Sequence, residues 1–587
     1  METDENGDEI IFQKGPHKIT VKGVFKRVKG KEDQGLQWVP ISDIPCTLTA
    51  IGDNLDTGEI LYKLSIINTK KREKIFWKKS KDLLTREGAL ELISDGMNFN
   101  DTECKDITAM FKAYLHEVTP DLPEELAASR SGWKQNGDLF VVGDCGYTKD
   151  AITQVLQLEN NTAELYTQKG TVTGWKEGVV DLVKYEAVRF KMYAACTPLI
   201  LSIISVPSFL FEQIGVSGLL KTLSSEVAAS IFGNPKTLQL NAKSTPKGIE
   251  AFVGYNTNLP VFIDETSTNP EDIKDMVYTI ANGVGRGTSN KSKGYDMPKT
   301  WLTVVLTTGE NPILPRNAKM GEFVRDIPLR GGVSEMLDQC VIAKIEDAIQ
   351  DNHGVIRDLI LNEIFESKDV MRKIYNEYYN CFPDPDEKNI TSSRAKKFYA
   401  AIATAGYLLE SVFGSIGIKQ MDPFDVVNKY FVENVIASTV FVPDHKRAMD
   451  AFYSWFAGNR VYFDDPKEDS TVNHERYGWV RDNKICITEE KLSEIIKKYE
   501  YNYSGCLSEW KKDESVDIRV HKKGDKEYKE HIFDISENKM KYRVIKIPAR
   551  MDADKAHKTD GSPNIGKAAR KPNISPKNYK PTHLDSF

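Results

Sequence analysis

A glycine-rich stretch that ends in lysine and threonine is the first place where this sequence could do chemistry. Residues 215–222 read GVSGLLKT, with the spacing of a phosphate-binding loop (P-loop) of the form G-x-x-x-x-G-K-S/T. In such a loop backbone N–H groups surround the phosphates, the lysine reaches the β and γ oxygens, and the following hydroxyl binds Mg²⁺. The candidate residues for binding ATP are Gly215, Ser217, Gly218, Lys221 and Thr222, of which Thr222 is also a candidate metal ligand.

The stretch departs from the pattern at one position. Leu220 stands where a glycine usually precedes the lysine, and the nearest glycine is Gly218. A left-handed backbone at Leu220 would cost about 1–2 kcal/mol, which a shifted loop around Gly218 could absorb. Taken alone, the stretch is either a divergent nucleotide site or a coincidence.

Two later segments supply the groups that a phosphate loop needs beside it. The apolar segment NLPVFIDET ends in Asp264 and Glu265, and adjacent acids at the end of a strand suit Mg²⁺ coordination and activation of an attacking water. The segment PKTWLTVVLTTGEN is a second buried strand that ends in Thr307 and Thr308, where a hydroxyl can lie between the carboxylates and the γ-phosphate. An isolated Asp-Glu pair is often only a solvated strand end. The three signals in this order favour a site that hydrolyses a nucleotide.

A short basic insert lies between these two strands. The segment GVGRGTSNKSKG, residues 283–294, contains Arg286, Lys291 and Lys293 together with four glycines and no acid. Such cations can contact DNA phosphates without reading the sequence. The alternative is a mobile surface loop.

The elements that position these residues follow from hydrophobic periodicity. The first part of the chain alternates with period two before two helical segments, and the middle alternates strands with helices, which is typical of a parallel sheet. The predicted divisions are 1–115, an N-terminal α+β domain; 116–195, a linker or second α+β region; 196–335, the ATPase core; 336–465, a helical region, which the family resemblance given below makes a lid; 466–550, a winged-helix domain; and 551–587, a flexible tail rich in Lys, Pro, Asn and Ser.

The C-terminal module has the pattern of a winged helix. Thr488 is a candidate N-cap for a helix with one apolar face, and two strands flank the segment VHKKGDKE. A wing carrying Lys522 and Lys523 could follow DNA phosphates. Winged helices also dock onto proteins, so both readings stay open.

Composition limits the class of protein. The chain has 587 residues, enough for several domains, and a formal net charge of −6, so any basic surface must be local. Its eight cysteines are far apart, which argues against a zinc site and against a disulfide framework. The apolar stretch Met192–Phe211 contains two prolines, and we interpret it as a buried helix and a core strand rather than a membrane span. With an acidic N-terminus that is not a signal peptide, the sequence predicts a cytoplasmic protein without a membrane partner.

These motifs together resemble a known family. The chain is similar to the MCM-like, self-loading AAA+ replicative helicases of staphylococcal mobile elements, of the cassette-chromosome and pathogenicity-island type. The similarity is close over about residues 120–410 and extends to about 550. The segments that carry it are SRSGW, FVVGD, VAASIFGNP, LPVFIDET, ANGVGRG, KTWLTVVLTTGE and SSRAKKFYAAIATAG.

The resemblance implies a fold class and roles for the candidate residues. The implied fold is a multidomain α/β protein: an AAA+ P-loop ATPase core with α+β N-terminal domains, a helical lid and a C-terminal winged-helix domain. Lys221 and Thr222 would bind ATP and Mg²⁺, Asp264 and Glu265 would be the Walker B pair with Glu265 catalytic, and Thr308 would be sensor 1.

Two arginines gain roles only from the resemblance. The segment GEFVRDIPL makes Arg325 the arginine finger that reaches the γ-phosphate of a neighbouring subunit. Arg394, at the start of a lid helix, matches the sensor 2 position, although a surface salt bridge explains a helix-start arginine equally well.

We therefore expect an ATP-dependent DNA helicase. The resemblance implies a homo-oligomer, a hexameric ring that translocates on single-stranded and forked DNA, and possible accessory replication proteins as partners. The alternative is a non-catalytic DNA-binding replication initiator or loader with a degenerate P-loop. Retention of both Asp264 and Glu265 favours the enzyme, because an unused metal site has no need of both acids.

Overall fold

The computed structural model of the chain describes most of residues 2–576. The residues outside the description are 1, 31–34, 69, 158–162, 242–243, 265–278, 286, 291–293, 297, 315–317, 319, 334, 336, 384–389, 437–442, 466–475, 524–525, 538–539, 550–570, 573, 575 and 577–587.

The N-terminal part packs antiparallel strands against three helices, as its period-two alternation predicts. The strand Cys46–Asn54 alternates buried with more exposed residues because one of its faces covers a hydrophobic core. The elements are β1 (Ile10–Lys14), β2 (His17–Thr20), β3 (Gly23–Lys29), β4 (Leu36–Ser42), β5 (Cys46–Asn54), β6 (Ile60–Ile67), β7 (Glu73–Lys79), α1 (Ser80–Leu84), α2 (Arg86–Asp95) and α3 (Cys104–Val118). Strands β1 to β4 form a sheet of their own.

One eight-stranded sheet crosses the predicted boundary at residue 115. Its further strands are β8 (Glu124–Ala128), β9 (Gly132–Lys134), β10 (Leu139–Val142), β11 (Cys145–Tyr147) and β12 (Ile152–Gln157). The order is β7-β6-β5-β8-β12-β11-β10-β9, with β8 parallel to both β5 and β12. The first two predicted regions therefore share a sheet, because β8 pairs with a strand about seventy residues earlier in the chain.

A five-stranded parallel sheet follows, as the alternation of strands and helices predicts. Its order is β14-β15-β18-β13-β19, and β13 and β18 are buried along their whole length. The elements of this region are α4 (Val172–Val179), α5 (Glu186–Cys196), α6 (Leu201–Ile204), β13 (Phe209–Ile214), α7 (Lys221–Ser230), α8 (Pro235–Leu238), β14 (Gln239–Asn241), α9 (Pro246–Tyr255), β15 (Val261–Asp264), β16 (Thr288–Asn290), β17 (Gly294–Asp296), β18 (Val304–Gly309), α10 (Met320–Phe323) and β19 (Asp326–Arg330). The chain runs from β13 to one side of the sheet and returns to its other side with β19, so β13 lies at the switch point of the topology.

The region after the sheet is helical and shares the hydrophobic core of the sheet. Its helices are α11 (Gln339–Asp351), α12 (Val355–Cys381), α13 (Ile390–Ser415) and α14 (Pro423–Phe431). A single cluster of buried side chains extends from Phe140 to Val435. The predicted boundaries at 195 and 335 therefore divide residues that pack in one core.

The C-terminal module has its own core and contains the predicted helices and wing. Its elements are α15 (Asp444–Gly458), β20 (Phe463–Asp464), β21 (Gly478–Arg481), β22 (Lys484–Thr488), α16 (Glu489–Lys498), α17 (Tyr503–Lys512), β23 (Arg519–Lys523), β24 (Lys526–Glu530), β25 (Phe533–Glu537) and β26 (Met540–Pro548). Thr488 caps α16 by accepting a hydrogen bond from the N–H of Lys491, as predicted. The prediction assigned α15 to the lid, but Ala448 and Phe452 of α15 pack in the C-terminal core, so this module begins near residue 444.

Part of the tail contacts the helical region. The ammonium of Lys571 lies 3.2 Å from a carboxylate oxygen of Asp425 on α14, and Ile574 packs against the large core. The prediction of a flexible tail therefore does not hold for these described positions.

The apolar stretch Met192–Phe211 is not a membrane segment. It forms the end of α5, the short helix α6 and the start of β13, all within the core. Across the residues that the structure describes, no helix combines the length and apolar character that crossing a bilayer requires.

Candidate functional site

The glycine-rich stretch lies where a parallel sheet offers a ligand site. Strand β13 ends at Ile214, the loop occupies 215–220, and α7 begins at Lys221. In open parallel sheets ligands bind beyond the carboxyl ends of the strands, at the switch point, which here is the end of β13. The N–H groups of the first turn of α7 therefore face this loop, as an anion site requires.

Leu220 adopts the conformation that a glycine would take. Its φ of 51° and ψ of 33° lie in the left-handed region, and Gly218 has a φ of 88°. The loop thus keeps the glycine-type backbone at the position where the sequence departs from the pattern. The side chain of Leu220 is half-buried against the large core, which offsets part of the backbone cost.

Lys221 folds back over the loop. Its ammonium donates to the carbonyl oxygen of Val216 at 3.0 Å and to that of Gly215. The lysine therefore lies inside the space that the loop encloses, within reach of any phosphate bound there.

A carboxylate and two hydroxyls meet beside the loop. Asp264 ends β15, Thr308 lies near the end of the adjacent β18, and Thr222 is in the first turn of α7. The hydroxyl of Thr222 donates to one Asp264 oxygen at 3.4 Å, and that of Thr308 donates to the other. The pairing of the parallel strands brings these residues together, because the carboxyl ends of neighbouring strands share one edge of the sheet.

The loop, the carboxylate and the hydroxyls line one cavity of about 440 Å³. The lining residues that sequence reasoning missed include two acids, Glu310 after β18 and Glu346 on α11, and the apolar Ile342 on α11. Periodicity could identify α11 as a helix, but no local signal shows that it packs across the loop.

A buried lysine behind the loop was also missed. Lys191 of α5 is fully buried, and its ammonium donates to Gln213 at 2.6 Å and to the carbonyl oxygen of Lys221 at 3.1 Å. The pKa of Lys191 is lowered to about 7, chiefly by burial; the charge of Asp264 raises this pKa and the charge of Lys221 lowers it. The only sequence signal was a lysine within the otherwise apolar segment that precedes β13.

Arg325 lies away from the loop of its own chain. Arg325 comes directly before β19, and its carbonyl oxygen accepts a hydrogen bond from the N–H of Leu210, near the start of β13. The loop begins about 16 Å further along that strand at ~3.3 Å per residue. Burial lowers the pKa of Lys397, and the charges of Arg325 and Arg394 lower it further, so these three cations share one region.

Several predicted residues cannot be placed in this site. Glu265, Arg286, Lys291 and Lys293 lie outside the described residues. Strands β16 and β17 follow β15 and precede β18 in the chain. They pair antiparallel as a hairpin, as predicted for the basic insert.

At the predicted wing, β23 and β24 pair as a two-stranded antiparallel sheet, and these strands run through the segment VHKKGDKE instead of flanking it. Lys522 and Lys523 lie on its first strand, where they pair in register with Glu527 and Lys526.

Two protein families match parts of the chain. Residues 17–299 match a family described as a domain of unknown function, DUF927. Residues 444–550 match the Cch helix turn helix domain, in agreement with a C-terminal module that begins at α15. None of the curated proteins matches the chain in sequence.

A solved structure shares the fold over nearly the whole chain. The structure described as "SCCmec type IV Cch - active helicase" superposes with a TM-score of 0.66, at 19% identity, over 92% of this chain and 98% of that one. The chain therefore has the fold of that protein. The apo structure of the NrS-1 C-terminal region covers 86% of this chain and 96% of its own, at 10% identity, but its TM-score of 0.30 is too low to indicate a shared fold.

Proposed function

We propose that this chain is an ATP-dependent DNA helicase that serves the replication of a mobile genetic element. The observation that carries the proposal is the meeting of Lys221, Thr222, Asp264 and Thr308 around one cavity at the switch point of a parallel sheet. The fold shared with a structure described as an active helicase and the match to a Cch helix turn helix domain support it. An enzyme that acts on such DNA works in the cytoplasm.

The residues around the cavity fit Mg²⁺ bound together with ATP. A carboxylate and a hydroxyl are the hard oxygen donors that Mg²⁺ prefers, and Asp264 and Thr222 supply them. Glu310 and Glu346 also line the cavity, so an anionic triphosphate needs positive charge beyond that of Lys221. The bound metal would neutralise charge on the phosphates.

Each residue around the cavity has a separate role in the proposed hydrolysis of ATP. The loop N–H groups and Lys221 hold the phosphates, and Thr308 fixes the orientation of Asp264 through its hydrogen bond. Glu265 takes a proton from the attacking water. Tight positioning is the main contribution of a protein to phosphoryl transfer.

We further propose an AAA+ core that works between subunits of a hexameric ring. One subunit supplies Lys221, Thr222, Asp264 and Glu265, and its neighbour supplies Arg325 with Arg394 nearby. The separation of Arg325 from the loop of its own chain supports a role in trans. The hairpin residues Arg286, Lys291 and Lys293 would grip single-stranded DNA through its phosphates, and the wing lysines Lys522 and Lys523 would add contacts.

A steady-state ATPase assay with and without single-stranded DNA tests this function. The parent chain should hydrolyse ATP and be stimulated by DNA. Lys221→Ala should abolish turnover with the fold intact, whereas Glu265→Gln should keep ATP binding and stop hydrolysis, because glutamine retains the shape and loses the base. A parent chain that binds DNA without turnover would instead be a non-catalytic initiator or loader.

A further inference from the structure

A fully buried ammonium group lies directly beneath the candidate phosphate loop. The ammonium of Lys191 in α5 shares its three N–H donors among four oxygens within hydrogen-bond distance: the side-chain oxygen of Gln213 near the end of β13, the carbonyl oxygen of Lys221, and the hydroxyls of Ser224 and Ser225 on α7. One side chain thus joins the strand that enters the loop to the first turn of the helix that leaves it.

The contacts continue to the far side of the loop. The side-chain amide of Gln213 donates to the carbonyl oxygen of Gly331 at 3.0 Å, and the N–H of Val333 donates to the carbonyl oxygen of Leu219 at 3.3 Å. At Gly332 an added Cβ would lie 2.4 Å from the carbonyl oxygen of Leu219. The segment after β19 therefore contacts the loop on one side, and Lys191 contacts it on the other.

All four acceptors of Lys191 are neutral, and among the described residues no carboxylate pairs with it. The charged groups that act on it are Asp264 on β15 and Lys221 on α7. Glu410 on α13 also faces α5, but it pairs there with Arg189. A buried cation without a counter-ion is costly, so an anion above the loop would stabilise it.

We infer that Lys191 is a positioning residue of the phosphate site, whose buried ammonium fixes the loop and supplies a second positive charge beneath the bound phosphates. This inference rests on the proposed nucleotide site. Lys191 itself would not contact ATP. Its positive charge would act on the bound phosphates through the carbonyl of Lys221 and the hydroxyls of α7.

The inference gives nucleotide binding a characteristic pH dependence. The pKa of Lys191 is lowered to about 7, chiefly by burial. Bound phosphates raise that pKa, so ATP binding takes up a proton at higher pH. The contribution to affinity is fully present below about pH 7 and is lost as the pH rises through the pKa of the bound state.

The test compares ATP dissociation constants of the parent chain and Lys191→Met between pH 6 and 9. At pH 6.5 the variant should bind ATP about tenfold more weakly. This is the loss expected if bound phosphates raise the pKa of Lys191 by about one. The ratio of the two constants cancels the titration of ATP itself, and it should shrink toward pH 9. Lys134→Met is the control, because Lys134 is similarly buried, beside Asp56 and away from the cavity, and its loss should leave ATP affinity unchanged.

The outcomes separate this inference from the proposed function. A parent chain that does not bind ATP would refute the nucleotide site itself. A parent chain that binds, with Lys191→Met equal to it, or weaker by the same factor at every pH, would overturn the role of the buried charge. If Lys191→Met does not fold, calorimetry of ATP binding to the parent chain at pH 8 in two buffers of different ionisation enthalpy decides: proton uptake supports the inference, and its absence overturns it.

Discussion

At the scale of the residue, the left-handed backbone of Leu220 leads to a prediction about folding stability that does not depend on ATP. A left-handed leucine costs about 1–2 kcal/mol relative to glycine, and Leu220 has a φ of 51°. Both Leu220→Gly and Leu220→Ala lose the half-buried side chain, but only glycine removes the backbone cost. We therefore expect the glycine variant to be more stable than the alanine variant by about 1 kcal/mol, measured from urea midpoints.

Val216 in the same loop provides the matched control. Its side chain is 71% exposed, and it is not among the described residues with positive φ. At such a position the glycine variant should be less stable than the alanine variant by about 0.4–1 kcal/mol, because glycine gives the unfolded chain more conformational freedom. If Leu220 gave the same order as Val216, the left-handed assignment at Leu220 would be wrong.

The sequence predicted the residues whose positions follow from local order and missed those set by packing. Asp264 and Thr308 each end a strand of recognisable pattern, and parallel pairing brings strand ends together, so their meeting near Thr222 was predictable. Lys191 and Glu346 approach the same loop from separate helices, α5 and α11. Their approach depends on how those helices pack on the sheet, which a single sequence does not encode in any short window.

At the scale of the element, α5 is joined to helix α13 through a buried ion pair. Arg189 of α5 and Glu410 of α13 have side chains that are 1% and 0% exposed. Burial raises the pKa of Glu410 while Arg189 lowers it, and Tyr193 also donates to the same carboxylate. Removing one partner leaves an uncompensated buried charge.

Arg189→Met should therefore lower the free energy of unfolding by about 3–5 kcal/mol. The double variant with Glu410→Leu should cost less than the sum of the two single changes, because neither charge then remains unpaired. Lys429→Met is the control: Lys429 pairs with Glu186 of the same α5 at 2.7 Å, but both side chains are about half exposed. Its loss should change stability by less than about 1 kcal/mol. Equal effects of the buried and exposed changes would contradict this account.

The basic hairpin is the element that should couple ATP use to DNA. Strands β16 and β17 form it between β15 and β18, next to the site in the chain. Replacing both Lys291 and Lys293 with alanine should remove up to two phosphate contacts per subunit and flatten the salt dependence of DNA binding. Basal ATPase should survive, while DNA stimulation and unwinding of a forked duplex should fall together.

The wing supplies the comparison for the hairpin. Lys522→Ala with Lys523→Ala should weaken DNA binding without uncoupling ATPase from unwinding, because the wing belongs to a module with its own core. If the hairpin variant unwinds DNA fully and only the wing variant loses unwinding, the wing is the element whose DNA contacts are needed.

Elements were predicted well by periodicity, and their grouping into domains was predicted poorly. The strand Phe209–Ile214 and the helix Lys221–Ser230 follow from local pattern and from where the glycines fall. The parallel pairing of β5 with β8 joins segments about seventy residues apart, and α15, which the prediction grouped with the helices before it, packs on α17. Both depend on which apolar faces meet, which periodicity leaves open.

At the scale of the whole molecule, two of the groups proposed for hydrolysis, Lys221 and Arg325, lie at opposite ends of the parallel strands within one chain. Lys221 lies at the carboxyl ends of the strands, and Arg325 lies at the amino end of β19. If both are needed for hydrolysis, a single folded chain has half of each active site. Activity must then depend on how subunits combine.

Mixed rings test this directly. Lys221→Ala and Arg325→Ala should each be inactive alone. Chains co-expressed with two different tags and purified through both should regain activity, because an interface with Lys221 from one variant and Arg325 from the other is intact. Random mixing makes about one quarter of the interfaces intact, so ATPase should approach that fraction of the parent rate. Inactivity of doubly tagged complexes, with each variant still binding its partner, would mean that Arg325 is not the group supplied in trans, and Arg394 would be the next residue to replace in the same assay.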